Sequence, residues 1–277
     1  MKKKKRLMLL FLLLLAGILL VPHPAQAAKK KKTVKTSQYT IYVNRKTNLV
    51  NVVDSKSHAL VRAMYCSTGK GNSTIRGTYR TKAKYRWRRL VGNVYGQYST
   101  RISGAYLFHS VPYKKKNIRT LESWEYNKLG RQASKGCVRL SVADAKWIYD
   151  KCKIGTRVII NDSKVLVKPV TAPVRIPSGD NSGWDPTDPN PSNPYYPRID
   201  LVNKTKTIAR NSEFDPYLQV AFSSKITSPE VLKSVVKIQN TVNTQIPGEY
   251  TVTYTLTDPA THLKTQASYV FTVQDVQ

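Results

Sequence analysis

The residues around Cys137 are those expected around a thiol nucleophile. The heptapeptide 134–140 reads Ser-Lys-Gly-Cys-Val-Arg-Leu. A free thiol has a pKa near ~8.5, so it needs a neighbouring base to supply thiolate at neutral pH. Gly136 lets the backbone approach closely and leaves the Cys137 N–H free to face a developing oxyanion. The pattern predicts acyl transfer through a thiol, and a small buried cysteine is the alternative.

One histidine has the surroundings of a general base for this thiol. Among the 4 histidines, His23 lies in an apolar leader-like segment, and His58 and His262 lie in polar turns. His109 instead ends the apolar run 105–108, which predicts a strand that would hold its imidazole rigidly. His109 is therefore the predicted base, with a hydrogen-bonded core histidine as the alternative.

Strands and one helix are predicted to position these two side chains. Short apolar runs separated by polar turns predict the strands, at 39–43, 49–54, 59–67, 77–89, 95–111 and 158–160. Ser141 is a good N-cap with Asp144 at the third helical position, so a helix is predicted directly after Cys137. The positive end of that helix would favour the thiolate.

Residues 38–162 resemble the L,D-transpeptidase catalytic domain, also called the YkuD-type domain. The signature of that family is a histidine, a variable gap, then Ser/Thr-His-Gly-Cys, an apolar residue and Arg or Asn; here it falls on His109 and 134–139. The stretches 66–70, 74–79, 143–149 and 155–158 resemble further parts of the domain. Lys135 departs from the signature, because it stands where the family has the second histidine. The resemblance implies a mainly β fold, a mixed β-sandwich with one helix after the cysteine and the active site at one end.

The resemblance also implies roles for the residues near the cysteine. Cys137 would be the nucleophile, His109 the proton donor and acceptor, and Gly136 a backbone donor to the oxyanion together with Cys137. The backbone carbonyl of Ser110 would orient His109, and Arg139 would face a substrate carboxylate.

Three further residues are predicted to contact the substrate. Ser134 and Lys135 precede the cysteine, and Ser134 is expected to shape the turn rather than to react. A lysine keeps a positive charge near the sulfur but does not exchange a proton readily near pH 7. Tyr126 lies in a basic, aromatic stretch between His109 and Ser134, which we expect to form a lid over the substrate groove. An ordinary surface loop is the alternative.

The N-terminal residues indicate export, and the charge distribution indicates anionic partners. Residues 1–27 read as a secretory signal peptide with an apolar stretch of 15 residues and an Ala-Gln-Ala cleavage site; a retained anchor is the alternative. Residues 28–164 carry 31 Lys and Arg against 6 Asp and Glu, whereas residues 165–277 carry 10 of each. An exported basic domain meets acidic stem peptides and anionic wall polymers, and no nucleic-acid-binding motif is present. We expect a secreted, cell wall associated protein with a basic tether at 28–37 and no stable membrane span after cleavage.

The rest of the chain predicts a linker and a second β domain. Residues 169–197 contain 8 of the 15 prolines, so 163–197 is predicted to be an extended linker. Alternating apolar residues at 250–256 and 269–273 resemble the last hairpin of bacterial Ig-like domains. They predict an Ig-like β-sandwich over 198–277 that would act as a spacer or a binding module.

The other cysteines are Cys66 and Cys152, which could form a disulfide in an exported protein or remain as reduced, buried thiols. The histidines are too scattered for a metal site and no phosphate-binding glycine loop is present, so no metal and no cofactor are predicted. Nothing in the sequence indicates an oligomeric state.

The leading functional hypothesis is an exported cysteine L,D-transpeptidase. By resemblance it would acylate on a peptidoglycan tetrapeptide stem with loss of D-Ala and form 3-3 cross-links in cell wall biogenesis. The same site could instead use water, as an L,D-carboxypeptidase, or attach a surface protein. A non-catalytic wall-binding protein, in which Lys135 marks a lost activity, is the third hypothesis.

Overall fold

The computed structural model describes residues 37–202 and 204–275. The predicted signal peptide (1–27) lies outside these residues, and so does the predicted tether (28–37) apart from Ser37. In the described ranges, no helix is long and apolar enough to cross a membrane.

Residues 39–161 build two β-sheets. The first sheet has the strand order β3-β2-β1-β9-β4, formed by β1 (Tyr39–Asn44), β2 (Leu49–Asp54), β3 (Leu60–Tyr65), β4 (Gly77–Arg80) and β9 (Arg157–Asn161). The second has the order β5-β6-β7-β8, formed by β5 (Lys84–Arg89), β6 (Tyr95–Ser103), β7 (Tyr106–Ser110) and β8 (Val138–Leu140). The pairs β1–β9 and β7–β8 are parallel and the other pairs are antiparallel, so the predicted mixed, mainly β fold is confirmed.

The predicted strands are present, and two of them divide at turns. The stretch 77–89 becomes β4 and β5, and the stretch 95–111 becomes β6 and β7. The second division falls at Gly104, whose φ of 50° lies in the left-handed region that suits glycine. Side chains from both sheets bury their apolar groups in one core, which places β7 and β8 on a rigid support.

Three α-helices are present in the described residues: α1 (Ser123–Tyr126), α2 (Val142–Lys151) and α3 (Pro229–Val235). The helix predicted after Cys137 is α2, and Ser141 is its N-cap, as its Oγ accepts a hydrogen bond of 3.3 Å from the Asp144 N–H. The buried face of α2 packs on β6, β7 and β8. The strand β8 separates Cys137 from this helix, which the sequence analysis did not anticipate.

The predicted linker, residues 163–197, has no helix or strand and is packed along the catalytic region. We call it the strap. Asp185 and Thr187 of the strap accept hydrogen bonds from the first N–H groups of α2, at 2.9 Å from Val142 and 3.1 Å from Ala143. Its prolines explain the absence of regular structure, but nothing in their spacing indicated these contacts.

Residues 198–275 form a further β-rich region around its own core. A two-stranded sheet pairs β10 (Arg198–Leu201) with β12 (Val220–Ser223). A four-stranded sheet has the order β11-β15-β14-β13, formed by β11 (Thr207–Ala209), β13 (Lys237–Asn240), β14 (Gly248–Thr257) and β15 (Lys264–Gln274). The predicted alternation along the last hairpin is confirmed, because Val252, Tyr254 and Leu256 are buried on one face. The Ig-like assignment stays a prediction.

Candidate active site

Cys137 lies at the end of a tight turn whose shape depends on Ser134 and Gly136. The Ser134 Oγ donates to the Cys137 carbonyl at 2.6 Å and accepts from the Gly136 N–H at 3.0 Å. Gly136 has a φ of 127°, and a Cβ there would lie 2.9 Å from the Tyr106 ring. The turn therefore needs glycine for its backbone conformation and for its contact with Tyr106. Ser134 shapes the turn, as the sequence analysis expected, and it is buried.

His109 lies on β7 beside the cysteine turn and is 2% exposed. Its register partner on β8 is Arg139, while the neighbouring pair Phe108 and Val138 points into the core. Because side chains alternate along a strand, His109 and Arg139 face away from that core. Both line a cavity of about 420 Å³ together with Cys137.

The hydrogen bonding of His109 fixes its tautomer. Its Nδ1 lies 2.5 Å from the Ser110 carbonyl oxygen, which can only accept, so Nδ1 carries the proton. The Nε2 atom has no hydrogen-bond partner among the described residues and keeps its lone pair. The Ser110 carbonyl thus makes the contact that the resemblance implied for it, and the Ser110 Oγ accepts from the Gln97 N–H at 2.9 Å.

Burial holds His109 in its neutral form. The pKa of His109 is lowered to about 4, chiefly by desolvation; the bond to the Ser110 carbonyl opposes this shift and the nearby Arg139 charge adds to it. Gly96 on β6 closes over the ring, since a Cβ at Gly96 would lie 2.9 Å from His109 Nδ1. His109 is thus a neutral imidazole at pH 7, the form that can accept a proton.

The thiol of Cys137 is protonated in the resting structure. Desolvation raises its pKa, and the Leu107 backbone N–H and the charges of Arg139 and Arg101 only partly oppose this. The Sγ lies 3.6 Å from the Ala105 carbonyl oxygen. The predicted help from the helix terminus is wrong, because the first N–H groups of α2 donate to the strap and β8 intervenes.

The two backbone N–H groups expected to bind an oxyanion differ in availability. The Gly136 N–H donates to Ser134 Oγ, so it is already used. The Cys137 N–H has no acceptor among the described residues. The expectation for Gly136 as an oxyanion donor is therefore corrected, and its role in this turn is conformational.

Arg139 and Lys135 both line the cavity, but they differ in their partners. Arg139 forms an ion pair with Glu125, and its side chain is 13% exposed. Glu125 also pairs with Lys128 at 2.5 Å. Lys135 is exposed and forms no ion pair within 37–202 or 204–275; a Cβ on Gly92 would lie 3.8 Å from its Nζ. Lys135 therefore extends toward the loop that joins β5 to β6.

The prediction that Tyr126 contacts substrate from a lid is wrong. Tyr126 is 1% exposed and packs with Tyr113, Leu121, Val142 and the strap residue Ile176. None of the residues 113–133 lines the Cys137 cavity. The aromatic residues of this stretch were expected to form a substrate surface, whereas Tyr113 and Tyr126 belong to a small core.

The cavity wall opposite the cysteine turn comes from the β5–β6 hairpin and the β6–β7 turn, which the sequence analysis did not single out. The lining residues from these elements are Arg88, Arg89, Leu90, Val91, Val94, Arg101, Gly104, Ala105, Tyr106 and Leu107. The run Lys-Tyr-Arg-Trp-Arg-Arg at 84–89 was a signal that could have indicated this wall.

Cys66 and Cys152 are free, buried thiols in the core shared by the two sheets. Desolvation raises the pKa of each thiol, which disfavours the reactive thiolate. The disulfide that was one of two alternatives is not formed in the structure. Among the described residues, no group of three or more His, Cys, Asp or Glu side chains could hold a metal ion.

The region that holds this site matches a known protein family. Residues 38–160 match the model of the YkuD family, described as the L,D-transpeptidase catalytic domain. The chain is 48% identical over 60 residues to the protein YciB of Bacillus subtilis (strain 168), a match that covers 21% of this chain and 29% of YciB.

Two solved structures resemble part of the chain. An L,D-transpeptidase from Mycobacterium smegmatis is 21% identical, with 45% of this chain and 58% of that chain covered and a TM-score of 0.38. A fused Zn-dependent amidase/peptidase/peptidoglycan-binding domain-containing protein from Clostridium acetobutylicum ATCC 824 is 28% identical, with 44% and 51% covered and a TM-score of 0.35. The chain thus spans little more than half of each of these structures. On the family match, residues 38–160 correspond to an L,D-transpeptidase catalytic domain of the YkuD family.

Proposed function

We propose that this chain is an exported L,D-transpeptidase that uses Cys137 as its nucleophile and forms 3-3 cross-links between peptidoglycan stems. The observation that carries the proposal is the pairing of a neutral His109, with a free Nε2, and the Cys137 thiol on one cavity. A base without its proton and a nucleophile that still holds one are the starting state for acyl transfer.

In the first half-reaction, the Nε2 of His109 takes the Cys137 proton as Sγ attacks the carbonyl carbon of the third stem residue. The Cys137 N–H is available to donate to the oxyanion that forms, an interaction commonly worth about 3 kcal/mol. The tetrahedral intermediate collapses when the C–N bond to terminal D-Ala breaks. The leaving amine takes the proton from His109, and a thioester remains on Cys137.

In the second half-reaction, the side-chain amine of the third residue in a neighbouring stem attacks the thioester. His109 accepts a proton from this amine, and the C–S bond breaks as the amide forms. The thiolate then regains the proton from His109, which restores the starting state. Attack by water in place of the amine would release a tripeptide stem, the L,D-carboxypeptidase outcome.

Proton transfer and attack are coupled in this mechanism. A raised Cys137 pKa and a lowered His109 pKa both disfavour a resting thiolate–imidazolium pair. The thiolate is therefore formed as the substrate carbonyl arrives rather than stored beforehand. This arrangement also protects the thiol from oxidation, because the thiol is far less reactive than the thiolate.

The proposal is tested by mass spectrometry of the purified protein incubated with disaccharide-tetrapeptides. We expect a thioester on Cys137, with Cys66 and Cys152 unmodified as internal controls, and stem dimers that lack one D-Ala. Cys137→Ala should abolish both products while keeping the thermal unfolding temperature of the parent. Tripeptide monomers without dimers would assign the carboxypeptidase reaction instead. Absence of any thioester or product would overturn the enzyme proposal.

The proposal of export has its own test. Cleavage after Ala27 predicts that the protein recovered from the cell wall fraction begins at Ala28. An intact N-terminus at Met1 on a membrane-bound protein would support the retained anchor.

A further inference from the structure

The cavity that holds Cys137 is lined by an unusual set of charges. Five cationic side chains line it, and no aspartate or glutamate is among the lining residues; the cations are Arg88, Arg89, Arg101, Lys135 and Arg139. They come from three separate parts of the chain: the β5–β6 hairpin, β6, and the segment 135–139. The positive charge therefore surrounds the entrance to the thiol.

Four of these cations lack a counterion. Arg139 pairs with Glu125, but within 37–202 and 204–275 no carboxylate lies within ion-pair distance of the other four. Arg88 and Arg101 are held in place by the Tyr85 ring, at 4.9 Å and 5.5 Å from its centroid. A stacked guanidinium loses little side-chain entropy when it binds an anion, since its plane is already oriented.

Unpaired cations around a reactive site attract anionic ligands and repel cationic ones. The part of a stem peptide that reaches Cys137 is its C-terminal end, so the groups that meet this wall are the carboxyl groups of the stem. These groups are anionic as free acids and neutral as carboxamides. A carboxamide replaces one acceptor oxygen by an N–H donor group and carries no charge, whereas a carboxylate presents two acceptor oxygens and a negative charge to donors that are cations.

We propose that Arg88, Arg89, Arg101 and Lys135 form a specificity-determining wall that selects stem peptides with free side-chain and α-carboxylates over stems in which these groups are amidated. This inference rests on the proposed function and adds the charge class of its donor substrate. Arg139 is excluded from the wall, because Glu125 already neutralises it. Lys135 belongs to it, which gives a role to the residue that departs from the family signature.

The wall also reduces the electrostatic repulsion between an anionic substrate and the Cys137 thiolate. A carboxylate-bearing stem brings negative charge toward the sulfur as the thiolate forms, and like charges raise the cost of that step. Arg101, a member of the wall, also lines the cavity of Cys137, and its charge favours the thiolate. The cations that line the cavity offset this repulsion, so a free-acid stem is accepted while the thiolate can still form.

The test compares two tetrapeptide donors that differ only in amidation of their acidic residues. The rate of thioester formation on Cys137 is followed by mass spectrometry with the full mature chain at low and moderate ionic strength. We expect kcat/KM for the free-acid stem to exceed that for the amidated stem by about tenfold at low salt, and this ratio to shrink as salt rises. The double variant R88Q/R89Q should bring the ratio toward one.

A matched control is R80Q/R157Q, which removes the same two charges from exposed arginines of β4 and β9 that do not line the cavity. It should leave the ratio of the two donors unchanged. Equal rates for both donors in the parent protein, with Cys137 acylated by each, would contradict the proposed selectivity of the wall while leaving the proposed function intact. Failure of both donors to acylate Cys137 would overturn the proposed function and the wall with it. Thermal unfolding temperatures of the variants within a few degrees of the parent separate these effects from misfolding.

Discussion

The β5–β6 hairpin and residues 113–133 are similar in composition but have different places in the structure. Both are rich in aromatic and basic residues, yet the hairpin lines the Cys137 cavity and 113–133 does not. The two segments differ in whether the strap covers them. The strap packs on 113–133, where the Asn127 side chain exchanges two hydrogen bonds with the Ile176 backbone, at 2.8 Å and 2.9 Å. No strap residue lines the cavity beside the hairpin tip, so its arginines remain exposed.

The composition of a segment alone does not show whether it lines a substrate groove. An aromatic ring is equally suited to a small core and to a ligand surface, and the choice depends on whether another element covers it. Here the covering element comes more than forty residues later in the chain, as Ile176 covers Tyr126. If this view is right, changes in 113–133 should act on stability and changes near the hairpin on catalysis.

The largest expected effect is on folding. Tyr126→Ala removes a fully buried ring from the core of 113–133 and should lower the free energy of unfolding by about 3–5 kcal/mol in urea denaturation. The control Val91→Ala, at the exposed hairpin tip, should change it by less than about 0.5 kcal/mol. Tyr126→Phe, which keeps the ring, should leave KM unchanged; a clear rise in KM would restore Tyr126 as a substrate contact.

The second effect is on the pH dependence of the free energy of unfolding. It arises because Gly96, on strand β6 of the hairpin, packs against His109 and helps to bury it. The folded-state pKa of about 4 lies below the ordinary value of 6.5, so the unfolded chain binds the proton more tightly. Stability from this group is complete above pH 6.5 and is lost as pH falls toward 4, by about 3 kcal/mol in total. Urea titrations of the parent and of His109→Gln should diverge in this window. Parallel curves would contradict the burial of a neutral His109.

The acid limb of kcat/KM provides a companion measurement. His109 must be neutral to accept the thiol proton, so activity should fall only as pH approaches about 4. An acid limb near pH 6.5 would mean that His109 is solvated in the working enzyme.

The third effect is on catalysis, with folding preserved. Gly96→Ala puts a Cβ 2.9 Å from His109 Nδ1, so the ring must shift, and kcat should fall by about 100-fold. The accompanying loss of stability should be no more than about 1–3 kcal/mol. Gly179→Ala is the matched control, since a Cβ there meets nothing within 4 Å, and it should alter neither kcat nor the unfolding temperature. A normal kcat in Gly96→Ala would show that His109 tolerates displacement.

The smallest effect tests the lid that the structure does not support. Lys115 and Trp124 are exposed, and Trp124 is 52% accessible under the Lys114 ammonium group. Neither lines the Cys137 cavity, so Lys115→Ala and Trp124→Ala should leave KM for muropeptides within about twofold. A larger rise for either variant would break the distinction between the two segments.

Much of the fold followed from local sequence patterns. The strands 39–54 and the helix after Ser141 were predictable because alternation, capping and turn residues act within a few positions of each other. The pair of Cys137 and His109 was also predictable, since few other residue types can supply a thiol and a base. The hydrogen bond from His109 to the Ser110 carbonyl was implied by the family resemblance, and the structure contains it.

What the sequence could not indicate depends on distant partners. The Gly136 N–H donates to the Ser134 Oγ only because of the rotamer that Ser134 adopts. Arg139 pairs with Glu125 only because α1 packs close to β8. The use of the α2 terminus by Asp185 joins positions more than forty residues apart. Sequence patterns describe neighbours along the chain, whereas the electrostatics of a site depend on neighbours in space.

The strap gives the molecule a mechanical property. It is anchored at successive points of the catalytic region, since Asn51 bonds twice to Val167, Leu121 donates to Gly183 at 2.9 Å, and Asp185 holds the start of α2. A free chain of this length would absorb tension as slack before any force reached the domain. Here a pull on the C-terminal region would be carried at once into the helix that follows the nucleophile. Force applied to the C-terminal region would therefore act on the nucleophile-bearing region directly, without a slack segment between them.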